Sequence, residues 1–538
     1  MRSLYRRLHR RFGRRISGRE RVRRAAAHRA RLARFLPLNL MTHAIPPRAG
    51  RRVRVAVVGG GFAGLAAAKA LQNLQATVTV FEARQQLGGR VQTNDTFIPG
   101  RLVETGAELI GANHPLWLQL AREFGFGLSV ITEDDEYGEA GLALPVRLLG
   151  RRLTPTQVEK LHEDMEKAAA DLVRRAAVIT DPFNPWTATG AGRLDGLSLQ
   201  SWIHGFTSDP LLRAALELEY ANDNCIRTAD QSLLAVLCQI AGGGGADFWE
   251  DVEVFRCCDG NIALAAALAD RITRDTPAGT IHLNEVVSDV NIVSGGREVE
   301  VTSSRPGAGG RTTRHDFAVL ALPPSVWSAL TLGGLPVPIP RIQMGPSLKY
   351  VAETQKRFWV THGDAPSGVS DAVGQTWEAT DNQIGGSRIA LTLFAGGPFA
   401  DAISARPPDP FVDPRIDALL PGYAGSKVRS ILRDWSAEPF IRTGYCIPKQ
   451  SQVTTLMLLM QQSIGQRIFF AGEHVSPPFF GFMEGALQTG LAAAARIGDA
   501  MGLTLPAAIG TLSGTGVRTV FPSRVPLPGP APAPAPGP

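Results

Sequence analysis

The chain of 538 residues is long enough for two or more domains, and 44% hydrophobic residues suit a packed protein; no apolar run approaches the roughly 18 residues that span a bilayer. The net charge of +7 does not describe the body: residues 1–52 carry 17 Arg against one acid, Glu20, which leaves −9 on the remainder and removes overall basicity as an argument for nucleic-acid binding. Five cysteines (Cys225, Cys238, Cys257, Cys258 and Cys446) without C-x-x-C spacing argue against a disulfide scaffold or a zinc site and fit a reducing, cytoplasmic setting.

The basic arm, 1–51, comes first. It lacks the apolar stretch of a secretory signal, and Met41 stands a short lead ahead of the first strand, so the arm is read as a disordered or non-native extension. An Arg-rich transit peptide, or a tail for nucleic acid or anionic lipid, is the competing reading. The run 53–58 (VRVAVV) predicts a buried parallel strand, 62–74 a helix and 77–82 a second strand, which together make one βαβ unit. Helices are expected at 113–125, 155–178, 210–220 and 229–240, then a loop at Gly242–Gly245 and a helix at 262–274. Strand-like runs follow at 280–292, 297–303, 316–322, 348–354, 389–394 and 467–471, and a last helix at 483–500. The Pro/Ala-rich segment 506–538 cannot bury enough apolar surface to fold and is expected to be disordered.

Between the first strand and helix, Gly59-Gly60-Gly61-Phe62-Ala63-Gly64 satisfies G-x-G-x-x-G. Gly59 permits a tight turn, Gly61 lets backbone approach a pyrophosphate, and Gly64 lets helix pack on strand. Phe62 and Ala63 open the helix, whose free N–H groups face the phosphates. Alone the motif is weak, but a strand precedes it, a helix follows, and Glu82 closes the second strand 23 residues after Gly59, where a carboxylate can accept from ribose hydroxyls. This establishes a dinucleotide site without choosing between NAD and FAD.

The segment Glu82-Ala83-Arg84-Gln85-Gln86-Leu87-Gly88-Gly89-Arg90 resembles the E-A-x-x-x-x-G-G-R segment of the flavin-containing amine oxidase family, which includes monoamine, polyamine and L-amino acid oxidases. Further segments are similar in order. Glu104–Glu108 (ETGAE) looks like the family's E-x-G-A stretch beneath the flavin, Asp259–Asn261 its G-G-M, and Asn284–Val287 its N-x-x-V strand. Ala471–His474 (AGEH) and Gly481–Ala486 (GFMEGA) look like its closing A-G-E/T and G-Y-M-E-G-A. The resemblance spans about 53–500. It implies an α/β protein in which a Rossmann-type FAD-binding domain (52–111, 246–328 and 461–505) is interleaved with an α+β substrate domain of mixed sheet and helices (112–245 and 329–460). The implied FAD contacts are Gly59, Gly61, Phe62, Ala63, Gly64, Glu82, Ala83, Arg84, Gly88, Gly89, Arg90, Gly106, Ala107, Glu108, Val287, Trp435, Gly472, Glu473, Phe482 and Met483. Arg84 and Arg90 are read as neutralising pyrophosphate charge.

The family's reaction removes a hydride equivalent from the carbon bearing a neutral amine, delivers it to flavin N5, hydrolyses the imine and reduces O2 to H2O2. The resemblance makes Lys349 the first catalytic residue. It lies in Ser347-Leu348-Lys349-Tyr350, nine residues before Phe358-Trp359, and the family's lysine there holds a water against N5. Tyr445 and Phe482 fall at the two aromatic positions that cage the amine. Gly444 stands where covalent monoamine oxidases carry cysteine, so FAD is expected to be non-covalent, and their C-terminal membrane anchor is replaced by the Pro/Ala tail. The substrate is an amine or an L-amino acid. Leu109–Gly111 lacks the arginine with which many amino acid oxidases grip a carboxylate, Arg442 is a weaker candidate, and Asp134, Asp135 and Glu136 are read as a solvated loop. The alternatives are a related desaturase or isomerase acting on a polyene or porphyrinogen, and a non-catalytic flavin-bearing interaction protein; an oligomer is compatible with all three.

Overall fold

The computed structural model describes residues 18–41, 50–275, 277–333 and 341–503. Its first layer is a parallel sheet in the order Ile468–Phe470, Phe317–Leu320, Arg54–Val58, Thr77–Phe81, Thr280–His282. The three strands Ile468–Phe470, Phe317–Leu320 and Arg54–Val58 have nearly continuous apolar sequence because both faces are covered. Helix Phe62–Asn73 lies on one face, and helix Met483–Ala500 packs on it so closely that a Cβ on Gly490 would stand 2.2 Å from the Ala63 carbonyl oxygen. The expected βαβ unit and closing helix are therefore both present.

The second layer is a mixed seven-stranded sheet, in the order Lys427–Asp434, Ser347–Thr354, Ile389–Gly396, Gly374–Glu378, Val369–Ser370, Val146–Leu148, Arg151–Arg152. Ser347–Thr354 is buried along its whole length between two antiparallel partners. Helices Pro155–Ala176, Pro210–Asp223 and Leu233–Gly243 stand beside this sheet. A third sheet combines Arg311–His315, Glu298–Ser304, Val286–Val293 and Thr331–Gly333.

Four expectations need correction. The run 280–292 is two strands in different sheets, Thr280–His282 and Val286–Val293, because Asn284 turns the chain with φ +55°. The glycine run does not begin a loop at 242: the helix continues to Gly243, where a Cβ would press to 2.3 Å of the Phe248 ring, so these glycines serve close packing. The acidic triplet opens the helix Asp134–Glu139, with Asp134 buried. The largest departure is the arm, where Gly18–Leu32 is a helix and Leu32, Leu36, Leu38, Leu40 and Met41 are buried in the core that holds helix Phe62–Asn73. Counting charge hid these apolar residues and the acids that receive the arm's cations. Arg24 pairs with Glu250 (2.8 Å), and the His28 ring meets Asp251 at 3.0 Å, with both partners buried. Residues 1–17 of the arm, and the tail from 504, lie outside the described residues.

Candidate active site

The turn after strand Arg54–Val58 shows what each glycine does. Gly59 has φ +108°, and a Cβ there would stand 2.5 Å from the Ala321 carbonyl oxygen. A Cβ on Gly64 would meet the Gly59 carbonyl oxygen at 1.9 Å, so helix and strand approach only without a side chain. Gly61 differs: a Cβ there would touch only Gly89, at an ordinary 3.7 Å. The chain itself does not require glycine at 61; an anion in front of the turn would. The helix N-terminus at Gly61 has no side-chain cap, which leaves its first N–H groups for such an anion. The residues present therefore fit a dinucleotide pyrophosphate.

Glu82 is buried, and its carboxylate accepts from the Gly60 N–H (2.7 Å) and the Arg84 N–H (2.8 Å), which locks the glycine turn to the end of the second strand. Burial raises its pKa, and the two N–H groups oppose that shift. The Arg84 guanidinium donates to the Gly89 carbonyl at 2.8 Å and lies 5.9 Å from the Trp435 ring. Arg90 donates to the Gly444 carbonyl (2.6 Å) and to Glu473 (2.8 Å). The second Glu473 oxygen accepts from the Cys446 and Gly481 N–H groups. Arg90 and Glu473 thus clamp three loops, a role beyond the phosphate neutralisation expected of Arg90.

The expected contacts converge. Apart from Gly64, which lies behind the turn, every residue expected to touch FAD or substrate lines one cavity of about 480 Å³. Gly106 belongs to its floor, where a Cβ would stand 2.2 Å from the Arg90 carbonyl oxygen. Trp435 donates its indole N–H to the Thr105 carbonyl at 3.2 Å. Val287 enters from the third sheet, and Gly472 and Met483 from the closing strand and helix.

On the mixed sheet, Lys349 is 6% exposed. Its Nζ donates to the Glu104 carbonyl at 3.0 Å and to the Glu108 carboxylate at 2.6 Å. Tyr445 lies against Gly481 and donates its hydroxyl to the Asp223 carbonyl. Phe482 meets His114 edge-on at 5.3 Å. Burial drives His114 down to about 3, with His28 adding to the shift, so this neighbour is a neutral imidazole. Gly444 is required by packing, since a Cβ there would stand 2.4 Å from the Ser347 hydroxyl.

The sequence model of the flavin containing amine oxidoreductases matches residues 62–498. The chain belongs to this family. Among curated relatives of this amine oxidoreductase, an L-amino acid dehydrogenase of Synechocystis sp. is 24% identical over 82% of this chain and 94% of the relative. A putrescine oxidase of Kocuria rosea is 28% identical over 66% and 75%. Among solved structures, putrescine oxidase bound to putrescine superposes with a TM-score of 0.72 at 22% identity, covering 83% of this chain and 99% of that one. Cyclohexylamine oxidase from Brevibacterium oxydans gives 0.71 at 22% identity, covering 84% and 100%. The fold is thus the α/β flavoprotein architecture, and the cofactor of the family is FAD. Among the described residues no helix is long and apolar enough to cross a membrane.

Several side-chain partnerships of the amine oxidoreductase site escaped the sequence reading. Arg256 and Asp381, both buried, extend the Lys349–Glu108 pair into a row of charges. Asn261, within the matched 259–261 segment, holds the 104–108 segment: its side chain donates to the Ala107 and Glu108 carbonyls and its N–H to the Glu104 carboxyl (2.7 Å). Glu484 caps helix Pro115–Phe124 through the Leu116 and Trp117 N–H groups, at 3.0 and 2.9 Å. A motif match or a charge flanked by apolar residues marks such positions but does not name a partner more than a hundred residues away.

Proposed function

We propose that the protein is an FAD-dependent oxidase that deaminates a small amine, with Lys349, Tyr445 and Phe482 as the residues that act at the reacting atoms. The observation that carries this is the single cavity in which a glycine-built pyrophosphate cradle and a buried lysine meet two aromatic rings. When bound, FAD supplies the two-electron acceptor for the C–H bond beside the amine nitrogen and hands the electrons to O2. In the balanced reaction the amine loses two electrons and two protons to become an imine, water converts the imine to carbonyl and ammonia, and O2 leaves as H2O2.

The chain's own part is to bind and orient. The Tyr445 and Phe482 rings flank the amine and exclude water, favouring its neutral form. Lys349 brings a buried positive charge where charge develops on reduction. With glycine at 444 and Cys446 buried, FAD is held without a covalent bond, by the Gly59–Gly64 turn, Glu82 and the 88–90 and 472–483 segments. Leu109, at the position where many of the family's amino acid oxidases carry a carboxylate-gripping arginine, lines the cavity, which favours an amine over an amino acid. Arg442 also lines the cavity, but it is exposed and its Nε is turned to the Pro439 carbonyl, a weaker hold on a carboxylate than a buried guanidinium would give.

The test is a peroxidase-coupled screen of flavin-loaded protein against aliphatic and aromatic monoamines, diamines, polyamines and the L-amino acids. Peroxide with amines and none with amino acids is expected. Turnover only with amino acids would overturn the substrate assignment. The relative named L-amino acid dehydrogenase favours a second reading, in which electrons leave to an acceptor other than O2; dye reduction without peroxide would establish it.

A further inference from the structure

Lys349 is not a lone cation. An ammonium has three donors, and two of them are taken by the Glu104 carbonyl and the Glu108 carboxylate, leaving one for the cavity that Lys349 lines. Glu108 is itself held from three sides: its Oε2 accepts from Lys349, its Oε1 from the Arg256 Nε at 2.7 Å, and both oxygens from the Trp377 indole N–H, at 3.1 and 3.3 Å. Arg256 continues to Asp381 and to the Glu378 carbonyl (3.0 Å), and Asp381 accepts the Thr132 N–H at 2.7 Å. All four charged side chains are buried, two cations facing two anions; the buried Glu104 carboxyl, which burial raises to about 7, also faces Lys349 and Glu108 and adds a negative charge above that value.

Burial alone would push the Glu108 carboxyl up, but the Lys349 ammonium and the Arg256 guanidinium overcome it and hold the group near about 2. It is therefore a carboxylate at any working pH. Without it, Lys349 would share a low-dielectric interior with Arg256, and desolvation and like-charge repulsion would both favour the neutral amine.

We propose that Glu108 is a positioning residue that keeps Lys349 an ammonium in the cavity, with Arg256 and Trp377 holding Glu108 in place. Glu108 then acts through Lys349, and the inference rests on the reading of Lys349 given above. It predicts that charge at position 108, and not merely its volume, sets the pH range in which reduced enzyme reacts with O2.

The experiment compares wild type, Lys349→Met, Glu108→Gln and Glu108→Asp as flavin-loaded proteins. Each is reduced anaerobically with dithionite and mixed with O2 across the pH range, and the flavin midpoint potential is measured by dye equilibration over the same range. Glu108→Gln should match wild type in acid but lose its rate at least about one pH unit earlier as pH rises, a fall of roughly tenfold at about pH 9. Its potential should drop below that of wild type over the same interval and coincide with it in acid. Glu108→Asp, which keeps the charge, should restore the wild-type midpoint, and it remains decisive if the amide variant does not fold: an Asp profile displaced as far as that of Lys349→Met would overturn the inference. A Glu108→Gln profile superimposed on wild type, with Lys349→Met slow, would overturn the role of Glu108 alone. Wild-type behaviour of Lys349→Met would remove the reading of Lys349 and the inference with it.

Discussion

The two walls of the cavity are built by different physics. On the cradle side, the turn Gly59–Gly64, Glu82 and the 88–90 bend come from one short stretch of chain, and their contacts are largely backbone to backbone or backbone to carboxylate. On the opposite side, Lys349, Glu108, Arg256 and the Trp377–Asp381 stretch come from four separate segments and meet mainly through charged side chains. The first wall depends on the absence of side chains, the second on the pairing of charges. Each should therefore fail in its own way.

The largest loss is expected on the charged wall. Arg256→Met leaves Glu108 with one cation fewer and Asp381 buried without its guanidinium, and should cost about 3–5 kcal/mol in chemical denaturation. An undiminished unfolding midpoint would mean the row contributes no stability. Next comes the arm: the residues around Leu40 pack on the cradle helix, and Arg24 and His28 reach the 250–251 segment. A chain starting at Met41 loses four buried leucines and should be less stable by about 3 kcal/mol, the burial gain being partly offset by the ordering it requires.

Gly64→Ala tests the cradle. The added methyl cannot fit beside the Gly59 carbonyl, so a loss of about 2 kcal/mol is expected, with FAD affinity falling more than stability. Full FAD occupancy after purification would contradict this geometry. Tyr445→Phe should have the smallest effect, about 1 kcal/mol, because it removes the hydroxyl and its bonds to the Asp223 carbonyl and Cys225 but keeps the ring. If the ring is what serves the amine, substrate affinity should change less than in Tyr445→Ala.

Two carboxylates beside Lys349, both on the charged wall, respond to pH in opposite senses. Glu108, held down at about 2 against an ordinary 4.5, contributes stability that is present above 4.5 and lost as pH falls through 2. Glu104 has the opposite sign. Burial outweighs its bonds from Asn261 and Thr93 and raises it to about 7, so its contribution is complete below 4.5 and is lost as pH rises through 7. Glu104→Gln should flatten the decline in melting temperature between these two values, and an unchanged slope would argue against the assignment.

The contrast between the two walls also explains how much could be read from the sequence. The cradle was legible because strand, glycine turn and helix are local, and each glycine has one evident geometric reason. The large helices and the buried strand Ser347–Thr354 were legible from periodicity. The Arg256–Asp381 extension was not, because ion pairing across 125 residues leaves no spacing to detect. The helix Gly18–Leu32 was missed for a related reason: its charge count is conspicuous, while the Leu32–Met41 apolar residues that anchor it are few and irregularly spaced. The split at Asn284 was hidden because both strands are β-branched and apolar on either side of one left-handed residue.

The central claim is that the cavity transfers electrons from an amine to FAD. Anaerobic stopped-flow mixing of the flavin-loaded protein with a panel of amines tests it directly, by following the visible flavin absorbance. The account predicts that at least one small amine bleaches the flavin in a saturable phase, and that admitting O2 restores the colour with one H2O2 per flavin. A flavin that dithionite bleaches, but that no amine or amino acid reduces, would contradict it.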